Sequence, residues 1–193
     1  MNCRNCKGDL VEFLDLGRVP LANQLLDSPK ERYKKHPLGL AYCAECGLVQ
    51  LTHVVPASEM YRNYPYATGS SKVHKDHFDR MAQDVLEFTK KGGAPPGLWS
   101  GLVVDIGSND GTLLAAFQKR GMMGRGVESA SNLAKIASEK GVETFNVFFD
   151  QRFGDWFAKD QGQADIVTAT NVLTHVDDLD AFLAAVKTVL KPD

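Results

Sequence analysis

The regular alternation of apolar runs with amphipathic segments after residue 98 constrains the fold most. Four runs are predicted to be strands: GLVVDIG, GRGVES, VETFNVFF and ADIVTATNVL. The segments between them have helical periodicity, the shortest lying around Phe153–Lys159, and the last ends at Lys191–Pro192. Strands that alternate with helices form a parallel sheet with crossovers on both faces. The sequence therefore predicts a parallel α/β domain with four strands.

The first half of the chain has a different character, which divides the sequence into three parts. Residues 1–58 are dense in turn signals and short apolar runs, so we expect a small separate domain there. Residues 59–97 form a helical connector, with a helix from Ser70 that is followed by the linker KKGGAPPG. Residues 98–193 form the α/β domain.

Charge and hydropathy exclude several functions. The formal net charge is −2 and the sequence pI is about 6.2, so the chain has no basic field to attract nucleic acid or an anionic membrane. No run approaches the roughly 20 apolar residues that span a bilayer, and the N-terminus lacks the apolar core of a signal peptide. We therefore expect a cytoplasmic protein with neither nucleic acid nor membrane as a partner.

The four cysteines form two Cys-x-x-Cys pairs, Cys3/Cys6 and Cys43/Cys46. In a reducing compartment such pairs indicate a metal rather than disulfides, and four free structural thiols are the simpler alternative. A redox role has no support, because neither pair opens a helix after a strand. Four thiolates leave no open position for water, so we predict one structural zinc ion, with Gly8 and Gly47 permitting the turns.

The stretch VVDIGSNDGTLL joins the first predicted strand to a helix and has the composition of a cofactor-binding turn. Gly107 permits a tight turn, Gly111 permits close approach, and Asn109 tolerates a left-handed conformation. Glu128 ends the second strand about 20 residues later, where a carboxylate can accept hydrogen bonds from ribose hydroxyls. A tight turn without any ligand is the alternative.

Two carboxylates in the same turn, Asp105 and Asp110, select among nucleotide cofactors. They would repel a pyrophosphate, but they suit a cofactor that carries a ribose and a cationic centre. S-adenosylmethionine, with its sulfonium and amino groups, therefore fits better than NAD.

These motifs resemble the class I S-adenosylmethionine-dependent methyltransferases, and more narrowly the sugar C-methyltransferases that act on nucleotide-linked keto-deoxysugars. The resemblance rests on VVDIGSNDGTLL, GVESASNLAKIASEKGVETFNVFF and ADIVTATNVLTHVDDLDAFL. In the N-terminal half it rests on LDLGRVPLANQLL, PLGLAYCAECGLVQL and YRNYPYATGSS. It implies a Rossmann-like sheet, represented by its first four strands and preceded by a small zinc-binding domain.

The resemblance also implies the residues of the site. Those expected to contact S-adenosylmethionine lie at the strand ends: Asp105, Gly107, Ser108 and Asn109 at the methionine part, Glu128 at the ribose, Asn146 and Phe148 beside the adenine, and Asn171 and Val172 at the methionine end or the substrate. Core packing is the alternative for Phe148 and for Phe149.

The reaction implied by the family is C-methylation of a keto sugar through an enolate, with His175 and Tyr66 facing the sugar. The family's main catalytic residues lie beyond residue 193. For His175 the alternative is a helix-start histidine paired with Asp177 or Asp178, and for Tyr66 it is simple packing. His74 and His77 are interpreted as a solvated helix face.

Two other functional classes remain open: a zinc-containing methyltransferase acting on RNA or on another small molecule, and a cofactor-binding protein without catalysis. We further expect the fourth strand to have an unpaired edge that favours self-association. We therefore expect this chain alone to have little or no turnover, as a fragment of a longer protein or as part of an assembly.

Overall fold

The computed structural model describes residues 2–91 and 100–192. The chain divides into two compact units. The first contains the described residues up to Tyr61 together with Asp177–Asp180, and the second contains Arg62–Val176 and the residues from Ala181 onward. Of the predicted linker KKGGAPPG, residues 92–97 lie outside the described residues. Among the helices that the structure describes, none has the length and apolar character to span a bilayer.

The first unit is built on a three-stranded antiparallel sheet in the order β1-β2-β3. Its elements are β1 (Leu10–Pro20), β2 (Lys35–Cys43), β3 (Val49–Leu51) and the short helix α1 (Ala57–Met60). Leu10 pairs with Cys43 at one end of β1 and Pro20 with Lys35 at the other, with irregularities of register between them. The sheet thereby connects to both cysteine pairs, since Cys6 precedes β1 and Cys43 ends β2.

The second unit contains a parallel sheet in the order β6-β5-β4-β7. Its strands are β4 (Leu102–Ile106), β5 (Met123–Val127), β6 (Glu143–Phe145) and β7 (Ile166–Thr168). Its helices are α2 (Lys72–Lys91), α3 (Thr112–Gln118), α4 (Ser131–Glu139), α5 (Gln151–Asp160) and α6 (Leu179–Val189). Four parallel strands that alternate with helices confirm the predicted Rossmann-like fold class.

The two faces of this sheet carry separate apolar cores, because successive residues of β4 point to opposite sides. Val103 packs with Leu114 and Phe117 of α3 on one face. Val104 packs with Phe157 of α5 and Phe182 of α6 on the other. This two-sided burial leaves all five residues of β4 buried and explains why the strand reads as a continuous apolar run interrupted only by Asp105.

The face of α2 that its periodicity predicts is buried only in the middle of the helix. The helical spacing predicts one apolar face formed by Val73, His77, Met81, Val85 and Phe88. Met81 and Val85 do pack against the core, beside the fully buried Ala82 and Leu86. Val73 and Phe88, near the two ends of the helix, are instead 75% and 78% exposed.

Strand β7 lies at the edge of the parallel sheet, as expected for the fourth predicted strand. The residue Ala164, two positions before β7, is nevertheless paired, since it forms a parallel bridge with Leu190. The N–H of Lys191 also donates to the carbonyl of Ala164 at 2.9 Å. Pairing on this side therefore begins directly after α6, while within the described residues β7 itself pairs only with β4.

Candidate functional site

The turn that follows β4 has the backbone conformation that its sequence predicted. Gly107 and Gly111 have φ angles of 67° and 76°, and Asn109, between them, has a φ of 53°. A Cβ atom on Gly107 would lie 2.6 Å from Cγ2 of Val172, so the glycine allows the segment after β7 to approach the turn closely. The structure thereby brings Val172 to the end of β4, as expected for residues at the carboxyl edge of a parallel sheet.

Glu128 lies at the end of the neighbouring strand with both carboxylate oxygens fixed. Its Oε2 accepts the N–H of Asn109 at 2.8 Å, and its Oε1 accepts the N–H of Ala130 at 2.7 Å. Burial raises the pKa of this carboxyl, opposed by the backbone N–H bonds, the largest of which comes from Ala130. A carboxylate has about four acceptor positions, so two remain for the hydroxyls of a ribose.

Asp105 is the next-to-last residue of β4 and is buried. Its Oδ1 accepts the hydroxyl of Thr168 at 2.7 Å. Burial raises the pKa of Asp105 from its ordinary 3.8 to about 7, the charge of Glu128 adds to the rise, and the Thr168 hydrogen bond opposes it. Thr168 could not be identified from the sequence, because its contact with Asp105 depends on the pairing of β7 with β4.

The two carboxylates, Asp105 and Glu128, both lack a cationic partner among the described residues, and this bears on the predicted cofactor. Among the described residues, no lysine, arginine or histidine forms an ion pair with Asp105 or Glu128, although both side chains are less than 10% exposed. Buried carboxylates are stabilised by a cation or by hydrogen bonds. A cationic cofactor with a ribose supplies both, so these residues fit S-adenosylmethionine.

Asp110 does not share this role, which corrects the interpretation of the turn as a pair of carboxylates facing one ligand. Its Oδ2 accepts the Nζ of Lys140 at 2.7 Å and the N–H of Gly69 at 2.9 Å, and its Oδ1 accepts the hydroxyl of Thr112. Burial alone would raise the pKa of Asp110, but these partners outweigh it and hold the pKa below its ordinary value. The charge of Asp110 is thus already compensated within the protein.

Three further predicted residues lie on the segments that follow strands β4, β6 and β7. Asn146 donates from Nδ2 to the carbonyl of Glu128 at 2.7 Å, which places it beside the expected ribose carboxylate. Ser108 is buried, and its Oγ has no hydrogen-bond partner among the described residues. Asn171 follows β7 with a φ of 56°, the left-handed conformation that asparagine tolerates.

The two phenylalanines after β6 have different environments. Phe149 packs against Phe153 and Phe182, with ring centroids 5.9 and 5.4 Å apart, so it belongs to the core. Phe148 is 37% exposed and does not join that cluster. The alternative of core packing therefore describes Phe149, and Phe148 stays the predicted residue for the adenine.

The predicted catalytic residues lie on separate elements of the second unit. Tyr66 is half-exposed, and its hydroxyl lies 2.9 Å from Nδ1 of His74 on the first turn of α2. His74 was interpreted from the sequence as part of a solvated face, and its pairing with Tyr66 was missed. His175 is exposed and ends a short 3-10 helix, Leu173–His175, before α6.

The four cysteines converge in the first unit. Their sulfur atoms all lie within 4.8 Å of one another, with Cys3 Sγ 3.6 Å from Cys46 Sγ and Cys6 Sγ 3.4 Å from Cys43 Sγ. A tetrahedral zinc site with Zn–S bonds of about 2.3 Å separates its sulfurs by about 3.8 Å. The cluster fits one zinc ion, and the N–H of Leu48 lowers the pKa of the Cys46 thiol to about 6.

The two cysteine turns have matching backbone hydrogen bonds. Lys7 N–H donates to the carbonyl of Cys3 and Gly47 N–H to that of Cys43, both at 3.0 Å. The left-handed position is occupied by Lys7, with a φ of 65°, and by Gly47, with a φ of 74°. Gly8 does not have the conformational role that we expected, because the left-handed position of the first turn is occupied by Lys7.

The fold and site define a parallel α/β domain with a nucleotide-cofactor turn, accompanied by a four-cysteine unit. Residues 73–193 match a family model described as "Methyltransferase domain", and residues 3–61 match one described as "Putative zinc binding domain". The chain therefore belongs to the methyltransferase family. The matches confirm the predicted methyltransferase family, and the cysteine cluster fits the predicted zinc-binding domain.

Individual proteins with similar sequences and structures were also found. C-methyltransferase NovU from Streptomyces niveus is 30% identical over 195 residues, which cover 99% of this chain and 45% of NovU, so the chain spans less than half of this relative. Magnesium protoporphyrin IX methyltransferase from Synechocystis PCC 6803, solved with bound SAM, is 17% identical over 61% of this chain and 56% of that one, with a TM-score of 0.45. YjhP from E. coli is 15% identical over 70% of this chain and 50% of that one, with a TM-score of 0.42.

Proposed function

We propose that the protein takes part in the S-adenosylmethionine-dependent C-methylation of a nucleotide-linked keto-deoxysugar. The observation that carries the cofactor assignment is the pair of buried carboxylates, Asp105 and Glu128, without a cationic partner among the described residues. The similarity to C-methyltransferase NovU over 99% of this chain supports carbon as the methylated atom.

The contacts of the site support a specific arrangement of the cofactor. Glu128 would hold the ribose through its two remaining acceptor positions, with Asn146 and Phe148 beside the adenine. Asp105, Gly107, Ser108 and Asn109 would line the methionine part, where the negative charge of Asp105 compensates the cationic groups. Asn171 and Val172 would close the methionine end, because Val172 packs against Gly107.

When bound, S-adenosylmethionine supplies an electrophilic methyl group to the enolate carbon of the sugar. The protein must remove the proton beside the carbonyl and hold the enolate oxygen. His175 and Tyr66 are the residues proposed to face the sugar. Nδ1 of His74 lies 2.9 Å from the Tyr66 hydroxyl and orients it.

A methyltransferase acting on RNA is the competing function, and a cofactor-binding protein without catalysis is the third. The chain carries 22 Lys and Arg against 24 Asp and Glu, a balance that gives no support to RNA binding. The cofactor site alone does not separate the third class from the first, so the acceptor must be tested directly.

The test compares acceptors with the purified chain. We expect a nucleotide-linked 4-keto-deoxysugar to bind in the presence of S-adenosylhomocysteine, and RNA not to bind at moderate salt. Binding of the keto sugar separates the first class from the third, because a protein that binds only the cofactor has no acceptor site. Binding or methylation of RNA, or failure to bind any keto sugar, would contradict the proposal.

A further inference from the structure

The segment of residues 62–70, which we call the strap, is attached to the cofactor turn by side chains of that turn. The N–H of Thr68 donates to Oδ1 of Asn109 at 2.8 Å, and Nδ2 of Asn109 donates to the carbonyl of Tyr66 at 3.0 Å. The N–H of Gly69 donates to Oδ2 of Asp110 at 2.9 Å. Two consecutive turn residues thus hold three backbone groups of the strap.

A second attachment fixes the start of the strap to helix α4. Oδ1 of Asn132 accepts the N–H of Tyr64 at 3.1 Å, and its Nδ2 donates to the Tyr64 carbonyl at 2.8 Å. The N–H of Ser131 donates to the carbonyl of Arg62 at 3.1 Å. The strap is therefore held at both ends, by α4 and by the turn after β4.

The contact at Gly69 leaves no room for a side chain. A Cβ on Gly69 would lie 2.6 Å from Oδ2 of Asp110 and 2.7 Å from Oγ1 of Thr112. Asp110 itself is 2% exposed and paired with Lys140, so it is a fixed anchor rather than a side chain that can give way.

Asn109 connects this strap with the residue proposed to bind the ribose. Its backbone N–H donates to Oε2 of Glu128 at 2.8 Å, while its side-chain amide uses both the oxygen and the nitrogen on the strap. A displacement of Asn109 therefore moves the Glu128 carboxylate and the strap together.

We propose that Asn109 is a positioning residue that couples closure of the strap to the binding of S-adenosylmethionine. The inference rests on the proposed function, because it takes this cofactor as the ligand of Glu128. Cofactor bound to Glu128 fixes the turn, the fixed turn orients the Asn109 amide, and that amide holds Thr68 and Tyr66. By linkage, a strap that is held closed strengthens cofactor binding by the same factor.

The test measures the strap and the cofactor independently. Hydrogen exchange at the amides of Thr68 and Gly69 is followed with and without saturating S-adenosylmethionine, and calorimetry gives the cofactor Kd. The variant Asn109→Gly keeps the left-handed backbone accessible and removes only the side-chain bonds. Asn23→Gly is the matched control, since Asn23 has a φ of 63° in the other unit.

We expect the cofactor to slow exchange at both amides at least about tenfold in the unmodified protein. Asn109→Gly should abolish that protection at Thr68 and reduce it at Gly69, whose N–H keeps its bond to Asp110. The Kd of the variant should rise about tenfold, as the loss of one or two hydrogen bonds predicts. Asn109→Asp retains an oxygen for Thr68 but cannot donate to Tyr66, so its Kd should be intermediate. Asn23→Gly should match the unmodified protein.

The second variant, Gly69→Ala, pushes the strap away from Asp110 and leaves Asn109 intact. It should raise the Kd for S-adenosylmethionine by a similar factor, so the inference can still be tested if Asn109→Gly does not fold. Wild-type Kd values in Asn109→Gly or Gly69→Ala, or strap amides insensitive to bound cofactor, would overturn the inference and leave the proposed function standing. Failure of the unmodified protein to bind S-adenosylmethionine would instead overturn both.

Discussion

Replacing Glu128 tests the proposed ribose contact most sharply. Its carboxylate is 7% exposed and accepts two backbone N–H groups, and its two remaining acceptor positions are assigned to ribose hydroxyls. A hydrogen bond to a charged group contributes about 1.5–3 kcal/mol. Loss of two such bonds, partly replaced by water, should cost about 3 kcal/mol in Glu128→Ala and raise the Kd about 100-fold.

The same substitution has a predicted cost in stability. The N–H groups of Asn109 and Ala130 lose their acceptors, and a buried unsatisfied donor costs about 1–3 kcal/mol. Glu128→Gln does not repair this, because its NH₂ group would face one of the two N–H donors. We therefore expect both variants to unfold at lower denaturant concentration than the unmodified protein.

Isothermal titration calorimetry with S-adenosylmethionine and S-adenosylhomocysteine measures this effect. Glu143→Gln is the matched control, because Glu143 on β6 is exposed and its carboxylate lies 3.2 Å from the guanidinium of Arg125. The control should retain the Kd of the unmodified protein. An unchanged Kd in Glu128→Ala, with the variant shown to be folded by circular dichroism, would refute the assignment of the ribose to Glu128.

Three other predictions follow from single sites. The raised pKa of Asp105 means that its carboxyl binds a proton more tightly in the folded than in the unfolded state. The contribution of Asp105 to stability should therefore fall by about 1 kcal/mol per pH unit between pH 4 and pH 7. Chemical denaturation across this range should show the stability difference between the unmodified protein and Asp105→Asn changing with this slope, and a difference independent of pH would contradict the assignment. Cys43→Ser should reduce zinc from one equivalent to well below one in metal analysis, and full retention would exclude Cys43 as a ligand. Gly107→Ala places a Cβ 2.6 Å from Val172 at a left-handed φ and should destabilise the protein by about 1–2 kcal/mol. Adding Val172→Ala removes the close contact but not the backbone strain, so it should restore only part of this loss in chemical denaturation. Complete restoration would mean that backbone strain is absent.

The strand and helix order of the second unit could be predicted because each element has its own local signal. The apolar run before Asp105, the glycines of the following turn and the glycines that end α3 and α4 all act within a few residues. Strands that alternate with helices then predict a parallel sheet. The same local information identified Glu128 at the end of β5.

Contacts between distant segments could not be predicted in this way. The pairing of Asn109 with Thr68 spans 41 residues, and that of Thr168 with Asp105 spans 63. No periodicity or motif reports such pairs, because they depend on the packing of elements that are separate in the sequence. The left-handed Lys7 was missed for a different reason: glycine is the usual residue at that position, and Gly8 was the nearest glycine.

Cofactor selectivity of the unmodified chain tests the central claim most directly. Calorimetric titrations with S-adenosylmethionine and with NAD should be compared at pH 8, where Asp105 is ionised. Because the buried carboxylates lack a cationic partner among the described residues, we predict one S-adenosylmethionine bound per chain and no measurable heat from NAD. Binding of NAD with equal or higher affinity, or no binding of S-adenosylmethionine, would contradict the account.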